Sequence, residues 1–309
     1  MKKLRSPAEG KRAHNRLLTI SGVKGYITVN KHLPINVNLQ TMNSKGFFTL
    51  SNGIKIPAVG FGTWQIPGGD AAYNSVVTAL KAGYRHIDTA LAYGNEASVG
   101  QAIRDSGIDR TEIFVTSKLP AEVKDYDKAL RYADKTIKNT GLDHIDLYLI
   151  HAPWPWNEMG ADYTKENIKI WKAMEEFYVG GKTRSIGISN FSVKDIDAIL
   201  ETCRILPMVN QIKMHIGHSQ PEVNEHCRKN GILVEGYSPL ATGRLLNNPS
   251  IADIAKKYRK DVAQLSIRYV LQKGALPLPK STHPEYIRQN INVDFELSSD
   301  DMKYLDGLK

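Results

Sequence analysis

GYRHIDTALAYGNEASVG, residues 83–100, sets a short apolar strand (HIDTA, 86–90) ahead of a loop that carries a tyrosine, and then Gly94 opens a helix with Glu96 in its first turn. Asp88 lies near the strand's end and Tyr93 five residues further on. A carboxylate and a phenol where a strand runs out into a loop indicate a site, because βα loops at the C-terminal ends of parallel strands are where barrel enzymes place their chemistry. The same unit recurs on both sides of this stretch.

Upstream, FFTLSNGIKIPAV (47–59) alternates around Asn52-Gly53, a two-residue hairpin signal, and such a hairpin could plug one end of a barrel. Short apolar strands then follow at AVGFGTW (58–64), HIDTA, IFVTSKL (113–119), IDLYLIHA (145–152), SIGISNF (185–191), MVNQIKM (208–214), ILVEGYSP (232–239) and ALPLPK (275–280). Between them, segments such as 126–139 and 167–179 space apolar residues by three and four, as amphipathic helices do. Eight strand-helix units predict an α/β fold, a (β/α)8 TIM barrel with an N-terminal β-hairpin and extra C-terminal helices over 283–290 and 298–308. A doubly wound sheet is the alternative that strand count alone leaves open.

The chain has 309 residues with 41 Lys or Arg and 32 Asp or Glu, a net charge of +9. Residues 1–41 hold eight of the basic residues against Glu9 alone, a local +7, which leaves 33 basic and 31 acidic side chains in the rest, or +2. The basic character therefore belongs to a leader, and the near-neutral body argues against nucleic acid as a partner. The domain organisation expected is a disordered basic leader over 1–41 and one barrel over 42–309. A translated upstream region before a start at Met42 is the favoured account of the leader; a targeting arm and a nucleic-acid-binding arm are the alternatives. Two cysteines, Cys203 and Cys227, are too few for a disulfide framework, and no run is apolar enough for a bilayer. A cytoplasmic monomer is expected.

Polar, chemically capable groups stand at each strand's C-terminal end: Trp64, Asp88, Lys118, His151, Ser189 with Asn190, Gln211, Tyr237 with Ser238, and Lys280 with Ser281. Any one has an ordinary structural explanation, but in a barrel all of them would converge on one rim. Two nucleotide motifs fail. Gly60-Phe61-Gly62 is followed by Gln65 where a third glycine belongs, and Gly181-Lys182-Thr183 precedes a strand and lacks the first P-loop glycine, so it reads as a helix end. His215, His218, His226 and Cys227 are metal-ligand types at no recognised spacing, and no metal is expected.

DTALAYGNE, VTSKL, LIHAP, GISNF, VNQI, YSPL and PLPKS, in this order from about residue 47 to the C-terminus, resemble the motif series of the aldo-keto reductases. The resemblance implies a catalytic set of Asp88, Tyr93, Lys118 and His151. Carbonyl reduction needs hydride at carbon and a proton at oxygen, and an unperturbed Tyr (pKa ~10) is a poor acid at neutral pH. Lys118, held by Asp88, would lower the Tyr93 pKa; His151 would orient the substrate oxygen. No side chain supplies hydride, so the resemblance implies NADPH. Ser189, Asn190 and Gln211 would bond its carboxamide and Tyr237 would stack on the nicotinamide. Ser238, Leu240, Lys280, Ser281, Thr282, Gln289 and Asn290 would take the phosphates and adenosine. Tyr286 stands where the family places an Arg against the 2′-phosphate, so NADH is also expected to serve. Trp64, His151 and Trp154 would contact substrate.

The resemblance is to the short microbial reductases of aldehydes, keto sugars and dicarbonyls such as methylglyoxal. The expected function is NADPH-dependent reduction of small aldehydes, ketones or dicarbonyls to alcohols. The alternative is a non-catalytic, nucleotide-binding regulatory or redox-sensing subunit built on the same barrel. The partner expected is a small carbonyl substrate, with no membrane.

Overall fold

The computed structural model describes residues 43–308, so the basic leader expected over 1–41 lies outside them. It opens with strands β1 (Phe47–Thr49) and β2 (Lys55–Pro57), antiparallel with Phe48 opposite Ile56. The turn is longer than the two residues expected. Leu50 N–H donates to the Ile54 carbonyl at 2.8 Å, and Gly53 takes φ +85°, the left-handed residue that closes a bulged three-residue hairpin. Phe48 and Ile56 are fully buried, and Asn52 donates to the Arg184 carbonyl at 3.0 Å, just before the strand that begins at Ile186. The hairpin therefore covers the N-terminal end of the barrel and leaves the other end open.

The barrel strands are β3 (Phe61–Gly62), β4 (His86–Asp88), β5 (Phe114–Leu119), β6 (Leu147–Ile150), β7 (Ile186–Ser189), β8 (Val209–Lys213), β9 (Leu233–Tyr237) and β10 (Leu276–Leu278), parallel in sequence order. Each lies within one of the eight apolar segments read from the sequence. They are buried on both faces, which is why they appear as continuous apolar runs with no alternation.

The ring closes where Gly60 N–H donates to the Pro277 carbonyl (3.0 Å) and Gly62 N–H to that of Pro279 (2.9 Å). Prolines have no N–H to return, so this seam is bonded in one direction only. It also demands a bare backbone: a β-carbon on Gly60 would stand 2.5 Å from Leu278 Cδ2 and 2.6 Å from His86 Nδ1. The Gly60-Phe61-Gly62 run thus serves close approach, and the closed ring rules out a doubly wound sheet.

Around the ring run α1 (Asp70–Lys81), α2 (Glu96–Asp105), α3 (Tyr126–Thr140), α4 (Thr164–Val179), α5 (Val193–Thr202), α6 (Pro221–Lys229), α7 (Pro249–Lys257), α8 (Val262–Gln272), α9 (Pro284–Asn290) and α10 (Ser299–Gly307). The last two are the C-terminal helices expected. Caps set the lengths of the loops that matter. The box between Ser192 and Asp195 starts α5 within four residues of Ser189, and the box between Asp261 and Gln264 starts α8, each satisfying N–H groups the first turn leaves open. Gly181, at φ +73°, turns the chain out of α4, as its sequence context suggested. Among the described residues no helix is long and apolar enough to cross a membrane.

Candidate active site

A cavity of about 1190 Å³ opens at the C-terminal ends of the strands. Gly62, Asp88, Ser189, Tyr237 and Leu278, the last residues of β3, β4, β7, β9 and β10, all line it, with His151 directly after β6. Parallel strands in register deliver their ends to one rim, so residues far apart in the sequence become neighbours.

The four residues of the expected catalytic set come together there. Lys118, fully buried on β5, donates to both Asp88 oxygens (2.7 and 2.8 Å) and to the Thr89 carbonyl (2.9 Å). Its ammonium also lies 3.3 Å from the Tyr93 hydroxyl and 5.0 Å from the centre of that ring. Tyr93 sits on a single 3₁₀ turn, Leu91–Tyr93, ended by left-handed Gly94. The loop is anchored by Asn95, whose amide donates to the carbonyls of Thr63 and Ile66 and accepts from Thr89 Oγ1. The His151 ring packs edge-on to Tyr93, with centroids 5.5 Å apart.

Burial decides the protonation of these groups. It pushes the Tyr93 phenol up to about 12, with Lys118 pulling downward and Asp88 pushing upward. The lowering expected from Lys118 is thus present but outweighed, and the phenol holds its proton at neutral pH. Burial would also discharge Lys118, but the Asp88 charge and the hydrogen bonds to Asp88 and Tyr93 overcome it and leave the amine above its ordinary range. His151 is held down to about 3 by burial and then by Lys118, so its imidazole is neutral.

The residues expected to hold a cofactor line the same cavity. Asn190, at φ +63°, donates to the His151 carbonyl (3.0 Å) and to Ser189 Oγ (3.0 Å), and accepts from the Tyr237 hydroxyl at 2.8 Å. Gln211 spends its amide nitrogen on Asp88 and Glu235. Ser238, Leu240, Lys280, Ser281, Thr282, Gln289 and Asn290 follow along the cleft. Trp64 lines its mouth, 45% exposed. In the PWPW loop it is Trp156 that faces the cavity and stands edge-on to His151 at 5.4 Å; Trp154 packs behind it, 5.3 Å from the Trp156 ring centre.

The sequence reading missed the far wall: Thr242, Gly243, Lys256, Lys260 and His283 also line the cleft. Its one local signal was the small-residue run after YSPL, where Ala241, Thr242 and Gly243 take positive φ, as Ser238 does within the motif. It also missed Lys124 and Asn167, which hold the loop after His151, and Glu235 beneath Gln211. His215 and His218 stack on each other at 5.4 Å while His226 pairs with Asp197. Among the described residues no three ligand-type side chains converge on a metal position.

Residues 58–309 match the Aldo/keto reductase family. The chain is 42% identical over 260 residues to glyoxal reductase of Bacillus subtilis (strain 168), covering 84% of this chain and 91% of that protein. It is 41% identical over 290 residues to aldehyde reductase YPR1 of Saccharomyces cerevisiae, covering 86% and 91%. A Bombyx mori aldo-keto reductase solved in complex with NADP superposes with a TM-score of 0.77 at 33% identity, over 86% of this chain and 93% of that one. Barrel, rim and sequence agree, and the chain belongs to the aldo/keto reductase family.

Proposed function

We propose that this protein is an NADPH-dependent oxidoreductase that reduces small aldehydes, ketones or dicarbonyls to alcohols, with Tyr93 as the proton donor. The observation that carries the reading is the Tyr93 hydroxyl 3.3 Å from a buried ammonium that is itself locked to Asp88. A phenol that keeps its proton in the resting site, beside a cation ready to stabilise the phenolate left behind, suits proton delivery to a developing alkoxide. Neutral His151 can donate a hydrogen bond to the same oxygen without carrying charge. The names of the glyoxal and aldehyde reductases support the substrate class.

The cleft fits an extended dinucleotide. It runs from Tyr93 to Lys280, with His283 and two cations suited to phosphates, Lys256 and Lys260, along its far wall. The reduced nicotinamide would supply the hydride. Asn190, Ser189 and Gln211 would orient its carboxamide, and Tyr237 would stack on the ring. Lys280 and Ser281 would meet the ribose phosphate, with Thr282, Gln289 and Asn290 toward the adenine. Tyr286 is 52% exposed beside His283, with ring centres 5.3 Å apart; a phenol there offers less to a 2′-phosphate than a guanidinium would, so NADH serves more weakly than NADPH.

Consumption of NADPH against a panel of aldehydes, ketones and dicarbonyls tests the reading. Tyr93→Phe is expected to lower kcat by about 10³-fold or more, in line with loss of a positioned acid, while NADPH still binds. Wild-type turnover by that variant, or no turnover by the wild-type protein on any carbonyl, would overturn it.

A further inference from the structure

Below the reacting groups the barrel interior holds a second carboxyl that the proposed reaction does not use. Glu235 on β9 is fully buried, and its Oε2 accepts from Gln211 Nε2 at 2.7 Å. The same nitrogen donates to Asp88 Oδ2 at 2.8 Å. Both N–H groups of Gln211 are therefore spent inward, and Oε1 is what the residue has left for the cavity it lines. An amide has a donor end and an acceptor end, so its orientation decides what it can offer a ligand. Asp88 alone holds the amide at one point only, through a single N–H bond at 2.8 Å, and leaves it free to turn about that bond.

We propose that Glu235 is a positioning residue: by taking one N–H of Gln211 while Asp88 takes the other, it holds the amide with Oε1 toward the cleft, as acceptor for the carboxamide N–H of nicotinamide. This rests on the reading of Gln211 as a cofactor contact.

The groups around Glu235 allow it to act as a neutral acid. His86 and Asp88 face it from β4, Lys118 from β5 and Gln211 from β8, while β10 offers no titratable side chain. Burial first, and then the charge of Asp88, push the carboxyl up to about 8. His86 Nε2 lies 3.9 Å from Oε1, beyond hydrogen-bond reach, and is held neutral by burial. A neutral acid accepts through its carbonyl oxygen. Ionised, it would set a second negative charge against the Asp88–Lys118 pair and make the phenol a poorer acid.

The test is made on the full-length protein, wild type, Glu235→Gln and Glu235→Leu, reading the NADPH dissociation constant by tryptophan fluorescence and kcat across pH. Gln keeps an acceptor, so its dissociation constant is expected to stay within about twofold of wild type; Leu removes it and is expected to weaken binding about tenfold, the scale of one buried hydrogen bond. Wild-type kcat is expected to fall as pH rises through about 8, and that limb is expected to vanish in Glu235→Gln. Equal binding by the Leu and Gln variants overturns the proposal. Should the Leu variant fail to fold, an unaltered alkaline limb in Glu235→Gln does so. Wild-type protein that binds no NADPH sinks the cofactor reading itself, a result distinct from both.

Discussion

Lys118 shows what a single side chain does in this barrel. Its ammonium is fully buried and bonds Asp88, Thr89 and Tyr93, so it neutralises one charge and adjoins the proposed acid. Breaking a buried pair from one side costs about 3–5 kcal/mol, because the partner charge is left uncompensated. Lys118→Met is expected at the low end, about 3 kcal/mol, since Asp88 lines the cavity and water can reach it. Urea unfolding measures this; a loss below about 1 kcal/mol would mean that Asp88 relaxes into solvent. Gly60 is constrained by space alone. Gly60→Ala puts a methyl against Leu278 and the His86 ring and is expected to cost about 1–3 kcal/mol, with a matching drop in thermal midpoint. At this scale the cluster was legible: Asp88, Lys118 and His151 stand at or near strand ends and Tyr93 in the loop after β4. Glu235 was not, because in LVEGY a single acid between Val234 and Gly236 reads like any residue facing solvent, and only ring closure turns it inward. Trp154 and Trp156 are equivalent in the sequence, and the extended backbone at Pro155 decides which one reaches the cavity.

The loop between β6 and α4 has three successive carbonyls held by side chains from other elements. Asn190 donates to that of His151, Lys124 to that of Ala152 (3.1 Å) and Asn167 to that of Pro153 (2.8 Å), while Lys124 also bonds Asn167 Oδ1 at 3.0 Å. The loop carries His151 at one end and Trp156 at the other, so this clamp sets the wall of the cavity proposed to take substrate. Lys124→Met is expected to raise KM for a bulky aromatic aldehyde about tenfold, the worth of one charge-assisted bond, and to alter NADPH affinity little. A variant with wild-type KM for such aldehydes would show that the loop holds itself. Burial brings the Lys124 amine down to about 8, so wild-type KM is also expected to climb above that pH as the bond loses its charge. The barrel strands were legible because they are buried on both faces and stand out as apolar runs. The segment after β9 was legible only faintly: its small residues hint at an unusual backbone, but they do not say that Ser238, Ala241 and Thr242 are the left-handed ones.

Across the whole molecule, three buried groups pull stability in opposite directions as pH changes. Burial, and then Lys118, hold His86 and His151 at about 3, against 6.5 in an unfolded chain. The unfolded state therefore binds more protons below pH 6.5, and their contribution, full above that value, is lost as pH falls toward 3. Glu235 runs the other way. At about 8 in the fold against 4.5 unfolded, its contribution is full below pH 4.5 and is lost as pH rises toward 8. Each proton is worth about 1.4 kcal/mol per pH unit. Between pH 4.5 and 6.5 the two histidines, joined by His215 and His218, which burial also lowers, outweigh the one glutamate and stability rises; from 6.5 to about 8 Glu235 prevails and stability falls, and above about 8 the lowered Lys124 amine works against that fall. The thermal midpoint is accordingly expected to peak near the histidines' ordinary value of 6.5. Glu235→Gln is expected to flatten the alkaline side while leaving the acid side in place. Calorimetry from pH 5 to 9 distinguishes the cases: a midpoint still climbing at pH 8, or an alkaline loss that persists in Glu235→Gln, would mean that the carboxyl is already ionised inside the barrel.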